Sequence, residues 1–346
     1  MGKEKTNRCI QIDGLRGIAI LLVILSHNDI LDQGGVANAI FFTISGFLFL
    51  NPFKNDYERR YLSPKNILKF YGSRALRLFP TYYIVMLFVF IFTGYKIIPK
   101  ILWIPNLYFC CFYEHFWYIH ALVRTCLIIP IVMMVFLFIS DRVKPLQNDL
   151  VRALFFLLTG AVIRLAYMHF NPFDNRLYQF MVGMSVAYVF RYIINHKKLH
   201  KAIKDMSLMG NTLITCLFLS IILSSGDVIN MLDPNKYFLV GWIFPYLTAV
   251  FAGILLLAIT IYDKGFYAKV LSARPLLFLS RLSLPLYLIH FFFVPVFQKL
   301  PSVFLAFLCD LAVAIILSWP LDLLLTKAIN AIFGKKKAKA SIPEAT

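Results

Sequence analysis

The sequence predicts an all-α polytopic membrane protein with about ten transmembrane helices and both termini on the cytoplasmic side. Three observations carry this: the composition, the succession of apolar stretches, and the placement of the basic residues. Of 346 residues, 60% are hydrophobic and 15% charged, with a mean hydropathy of +0.73. Soluble domains carry about 25% charged residues, so this chain has too little polar surface to cover a water-facing globule. Apolar stretches of spanning or near-spanning length are read at 12–28, 36–50, 78–95, 116–139, 152–168, 177–194, 210–226, 239–261, 279–297 and 302–325. The net charge of +18 is distributed unevenly between them. Segments 1–16, 51–77, 140–152, 191–205, 263–281 and 326–346 hold 28 of the 35 Lys and Arg, whereas the alternate segments hold 5. Ten crossings put every basic segment on one side, which the positive-inside rule makes cytoplasmic. The charge is therefore topological rather than a nucleic-acid footprint. It also favours anionic lipid headgroups or an anionic cytoplasmic cosubstrate.

The chain reads as one membrane domain over 1–334 and a basic cytoplasmic tail over 335–346, beginning Lys335-Lys336-Lys337-Ala338-Lys339. A cleaved signal peptide is not expected, because the first apolar stretch contains Asp13 and Arg16 and has no small-residue cleavage site. The six cysteines are expected to pack rather than pair. Cys126, Cys216 and Cys309 lie within apolar runs, and Cys110 and Cys111 are adjacent. No metal-ligand set and no permanently bound cofactor is read.

The first apolar stretch is the most informative. Arg16 and His27 lie eleven residues apart, about three helical turns or roughly 16 Å on one face, with Asp13 three residues before Arg16. Facing either group to lipid costs a few kcal/mol, so both are expected to face the bundle interior. The bland alternative has Arg16 reaching the cytoplasmic headgroups and His27 at the outer interface. Among the other intramembrane charges, Arg124 and Asp310 fall at similar depth, where a structural pair is expected. Asp322 sits near the cytoplasmic end of the last span, and Arg164 is expected to reach outward. The His-x4-Asp spacing of His27 and Asp32 matches a glycerolipid acyltransferase pattern, but that pattern's later glycine and proline blocks are missing.

An arginine, ten residues and a histidine, preceded by Asp13-Gly14-Leu15, resembles the signature of the bacterial membrane acyltransferase-3 family. Three further blocks follow in that family's order: Phe41-Phe42-Thr43-Ile44-Ser45-Gly46-Phe47-Leu48, then Arg74-Ala75-Leu76-Arg77-Leu78-Phe79-Pro80-Thr81-Tyr82-Tyr83, then Ser283-Leu284-Pro285-Leu286-Tyr287-Leu288-Ile289-His290. The resemblance covers residues 10 to 325 or so and does not include the hydrolase-like domain that some members append. One segment departs: Phe116-Trp117-Tyr118-Ile119-His120-Ala121-Leu122-Val123 has Leu122 and Val123 where many members carry an acidic pair.

The resemblance implies an O-acyltransferase in the bacterial cytoplasmic (inner) membrane. It would move an acyl group, expected to be acetyl, from cytoplasmic acyl-coenzyme A to a hydroxyl of a surface glycan such as lipopolysaccharide or capsule. It implies catalytic roles for His27, Arg16 and Asp13, with His27 as general base or as acyl carrier. Donor contacts are expected from Arg74, Arg77, Lys69 and Ser45. Guanidinium forks on one helical face suit phosphate oxygens, although positive-inside anchoring explains the same charges. Ser45-Gly46 allows close approach of either a thioester or a neighbouring helix. Trp117, Tyr287 and His290 are assigned to the acceptor side. Two competing readings are a glycan or lipid transporter or flippase, against which the chain has no internal two-fold pattern, and an acyltransferase acting on peptide or lipid.

Overall fold

The computed structural model describes residues 9–54, 56–93, 116–170, 176–223 and 238–333, and among them every regular element is helical. In chain order these are α1 (Ile10–His27), α2 (Gly34–Leu50), α3 (Pro64–Thr93), α4 (Trp117–Ser140), α5 (Asp149–Phe170), α6 (Leu177–Asn195), α7 (Lys197–Asp205), α8 (Ser207–Leu223), α9 (Phe238–Ile261), α10 (Phe266–Leu271), α11 (Arg274–Arg281), α12 (Ser283–Ile289), α13 (Val294–Phe297) and α14 (Val303–Phe333). The chain is a multi-pass membrane protein. Helices α1, α4, α6, α9 and α14 are each long and apolar enough to cross a membrane, and counting the bent pairs α7–α8 and α11–α12 as one span each makes seven. The apolar α2, at 17 residues, is shorter. The stretches 78–95 and 152–168, also expected to span, lie on α3 and α5, which are not among these candidate spans, so the described residues give five to seven candidates against the ten expected. The segments expected to face outward between α3 and α4, α5 and α6, and α8 and α9 lie largely outside the described residues, as do Cys110, Cys111 and the basic tail.

The core is built around α6, of which 83% of the apolar stretch is buried, against 28% for α14. Helix α6 packs against α2, α5 and α9, and α1 packs against α2 on one side and α11 on the other. The α2–α6 crossing is close because glycines meet there: a Cβ on Gly46 would lie 2.0 Å from the Phe180 carbonyl oxygen, and one on Gly183 would lie 2.1 Å from that of Thr43. Small residues at a crossing let dispersion and Cα–H contacts replace the hydrophobic drive that lipid cannot supply. Of the two uses open to Ser45-Gly46, Gly46 therefore serves the neighbouring helix. Outward, Ile131, Val135 and Phe138 of α4, Leu154, Leu158 and Val162 of α5, and Phe304, Ile316 and Leu324 of α14 are exposed, an apolar periphery that suits acyl chains.

The stretch expected as one ninth span is broken instead. Helices α11 and α12 meet at Leu282 with a 64° bend, and a 3-10 turn over His290–Phe292 precedes α13. Pro275 and Pro295 occupy first-turn positions of their helices, where a missing N–H costs nothing, and Pro285 follows within the first turn of α12. Each proline permits a fresh helix start and opposes continuation from the preceding one.

Between α2 and α3 a 3-10 turn (Tyr57–Leu62) is stapled down by buried charge. Glu58, 1% exposed, pairs with Arg191 of α6 and with Arg152 of α5 at 3.5 Å, and Arg191 also grips Asp149. Tyr61 stacks on Phe49 at 4.3 Å and donates to the Phe49 carbonyl. This turn leads directly into the basic first half of α3.

Candidate active site

Two polar centres lie at opposite ends of α1. At the Asp13 end, Arg16 of α1, Arg74 and Arg77 of α3, Ser45 of α2, Tyr118 of α4, and Ser283 and Tyr287 of α12 converge on one cavity of about 60 Å³, walled by Phe41, Leu78, Leu122 and Leu284. No carboxylate lines it. Asp13 pairs with Arg16 at 3.5 Å without lining the cavity, which leaves a positive excess on its wall. Such a surface suits an anion, and guanidinium groups present planar donor pairs to phosphate or carboxylate oxygens. The volume is that of a few waters, so it suits a small group rather than a whole nucleotide. The Arg74 guanidinium rests over the Phe70 ring, 5.2 Å from its centroid, and Ser45 Oγ donates to the Phe41 carbonyl at 2.8 Å. Close packing of α1 sets Arg16 in place: a Cβ on Gly14 or Gly17 would collide with the carbonyl oxygens of Leu271 or Leu276.

At the other end, His27 closes the last turn of α1. Its Nδ1 lies 2.9 Å from Nε2 of His290, whose Nδ1 lies 2.9 Å from the Leu286 carbonyl oxygen. His290 is fully buried, and Phe291 meets the His27 ring edge-on at 5.1 Å. This end of α1 is tied to the last third of the chain twice more. Asn28 donates to Asp310 at 2.8 Å and to the Ile24 carbonyl at 3.0 Å, and Gln298 donates to Asp29 at 3.1 Å.

The sequence-derived residues thus divide. Arg16, Arg74, Arg77 and Ser45 share the first cavity, and Asp13 pairs with Arg16 without lining it. Tyr287, assigned to the acceptor side, lines that same cavity, whereas His290, three residues on, joins His27; their rings are 6.2 Å apart, so α12 connects the two centres. Lys69 points away as an exposed residue of α3. Trp117 packs under the Arg176 guanidinium at 5.0 Å rather than in the cavity. Tyr118, Ser283, Asn28 and Asp310 join these centres although nothing in the sequence marks them as site residues. The expected Arg124–Asp310 pair does not form: Asp310 takes its hydrogen bond from Asn28, and Arg124 Nε turns to the His120 carbonyl of its own helix at 3.4 Å. Arg164 lies over the Tyr178 ring, in the first turn of α6, and Asp322 pairs with Arg281 at 2.7 Å.

A family model described as an acyltransferase domain, of the acyltransferase-3 type, matches residues 10–323. The chain is 26% identical over 320 residues to the O-acetyltransferase OatA of Staphylococcus aureus, in strains NCTC 8325 / PS 47, COL and MRSA252. The match takes in 81% of this chain and 49% of those proteins, so the chain spans about half the length of the curated relatives it matches. No solved structure matches it.

Proposed function

The chain belongs to the acyltransferase-3 family, and from that premise we propose that it is a membrane O-acetyltransferase that carries an acetyl group from cytoplasmic acyl-coenzyme A to a hydroxyl of a cell-surface glycan. The observation that carries this reading is the pair of centres on α1: three arginines around a carboxylate-free cavity at one end, and at the other His27, three helical turns or roughly 16 Å of rise beyond Arg16, with Tyr287 and His290 leading from one to the other. A donor that separates its phosphates from its reactive thioester by a flexible arm fits that division. Arg74 and Arg77 hold phosphate oxygens, with Arg16 beside them, and the thioester reaches toward His27. In direct transfer, His27 takes the proton of the acceptor hydroxyl as its oxygen bonds to the acyl carbon, and the carbon–sulfur bond breaks to release the coenzyme A thiolate, which takes up a proton. The bacterial cytoplasmic membrane is the expected location, on the strength of the bacterial relatives.

General-base participation is typically worth about 10²–10⁴-fold in rate. Replacement His27→Asn keeps a polar side chain but cannot accept a proton at neutral pH. The purified variant is expected to bind acetyl-coenzyme A while its acetyl transfer per folded molecule drops below detection. Mass spectrometry of surface glycans from cells with and without the gene then identifies the acceptor. Activity within threefold of wild type in the His27 variant removes this residue from the chemistry. A wild-type protein that neither binds nor turns over acetyl-coenzyme A defeats the acyltransfer reading and favours a transporter.

A further inference from the structure

We infer that His290 is the positioning residue for His27, fixing which imidazole nitrogen of His27 acts as the base; this deepens the acyltransfer reading and rests on it. The argument follows the hydrogen-bond chain from its far end. The Leu286 carbonyl can only accept, so Nδ1 of His290 carries its proton. Burying a charge without a partner is expensive, and the fully buried His290 ring has the Leu286 carbonyl and His27 as its hydrogen-bond partners, neither a carboxylate. In the neutral ring, Nε2 of His290 holds a lone pair and can only accept. Its partner at 2.9 Å is Nδ1 of His27, so His27 carries its proton on Nδ1 and donates. The lone pair of a neutral His27 is thereby placed on Nε2, the nitrogen turned away from His290.

The chain Leu286 carbonyl, His290, His27 therefore does for this imidazole what a carboxylate does in a triad: it selects tautomer and ring orientation. A neutral imidazole in place of a carboxylate puts no charge of its own against His27, at an end of α1 that already buries the Asp310 carboxyl against Asn28. The 3-10 turn that begins at His290 turns the chain away directly after this residue. The imidazole thus sits at the end of α12, level with the last turn of α1. Phe291 edge-on to His27 at 5.1 Å closes the ring's other side against rotation.

Three variants separate positioning from packing. In His290→Gln the side-chain amide reaches the place of Nε2, and its oxygen accepts from Nδ1 of His27. In His290→Asn the shorter amide reaches the place of Nδ1 and keeps only the Leu286 contact. His290→Phe keeps ring volume and neither hydrogen bond. With purified protein and acetyl-coenzyme A, the Gln variant is expected within tenfold of wild-type kcat, and the Asn and Phe variants about 10–100-fold lower. KM for the donor is expected to stay within threefold in all three. Equal kcat per folded molecule in the Asn and Gln variants overturns the proposal. Should a variant fail to fold, nitrogen chemical shifts of histidine-labelled wild-type protein decide, with His27 assigned by its loss in His27→Asn. A proton on Nδ1 of His27 sustains the proposal, and one on Nε2 overturns it. An inactive His27→Asn beside a fully active His290→Asn defeats this inference alone, whereas an active His27→Asn defeats the reading beneath it.

Discussion

Arg74 and Arg77 lie three residues apart on one face of α3 and meet Arg16 across a cavity that no carboxylate enters. Hydrogen bonds to charged groups are worth about 1.5–3 kcal/mol each, roughly ten- to a hundredfold in affinity. Arg74→Ala and Arg77→Ala are therefore each expected to weaken acetyl-coenzyme A binding at least tenfold, measured by calorimetry on protein of normal abundance. Lysine at either position is expected to restore only part of the loss, because a point charge lacks the fork. Unchanged affinity in both alanine variants makes these residues topological anchors. Arginine and histidine stand out in an apolar sequence, so Arg16, Arg74, Arg77 and His27 could be read directly, whereas Ser45 came only with the family block it stands in. Tyr118 and Ser283 could not, since a tyrosine or serine in such a helix serves packing, belts and hydrogen bonds alike. Asp310 was conspicuous as a lone carboxylate, but depth along a helix says nothing about which neighbour it faces. Asn28, beside the histidine, took it instead of Arg124.

Among elements, the α2–α6 crossing bears most on the site, because α2 contributes both Phe41 and Ser45 to the cavity. Leucine at position 46 has nowhere to go: its Cβ alone would lie 2.0 Å from the Phe180 carbonyl. Gly46→Leu is expected to lower the melting temperature of the detergent-purified protein and its abundance in the membrane, by a cost of about 1–3 kcal/mol or more. Ser45→Ala, one residue away, is expected to leave melting nearly unchanged, because its hydroxyl returns to its own helix at the Phe41 carbonyl. Similar melting temperatures for the two variants would show that the crossing tolerates separation. The ninth span carries the other element-scale lesson. Hydropathy reads 279–297 as one helix because the stretch is apolar on average, Arg281 and His290 notwithstanding. Pro285 and Pro295 within it, and Pro275 just before it, mark places where a helix can break, but not that the breaks deliver Tyr287 to the arginine cavity and His290 to His27.

At the scale of the whole molecule, the 28-to-5 division of Lys and Arg between alternate segments predicts that both termini face the cytoplasm. Single cysteines near Lys65 and Lys336, in a cysteine-free background, are expected to resist membrane-impermeant reagents in intact cells, and one near Lys236 is expected to react. Labelling at Lys336 from outside breaks the ten-span arrangement. On that expected topology the arginine cavity, at the Asp13 end of α1, would face the cytoplasm and His27 the outside, which is the arrangement the proposed transfer requires.

By itself the sequence determined that this chain is helical, apolar and multi-pass, and that α1 carries an arginine and a histidine on one face. Hydropathy, charge placement and helical period are local properties, and lipid constrains them residue by residue. Only the tertiary structure decided which polar groups meet. The His27–His290 contact joins residues 263 positions apart, and Asn28 meets Asp310 across 282. Such pairings depend on how helices cross. Crossings depend on glycines at matched heights, such as Gly46 and Gly183, and on breaks such as the one at Leu282. In lipid, where apolar surface gains little by leaving its solvent, it is this close fit, and not hydrophobicity, that selects one arrangement of helices.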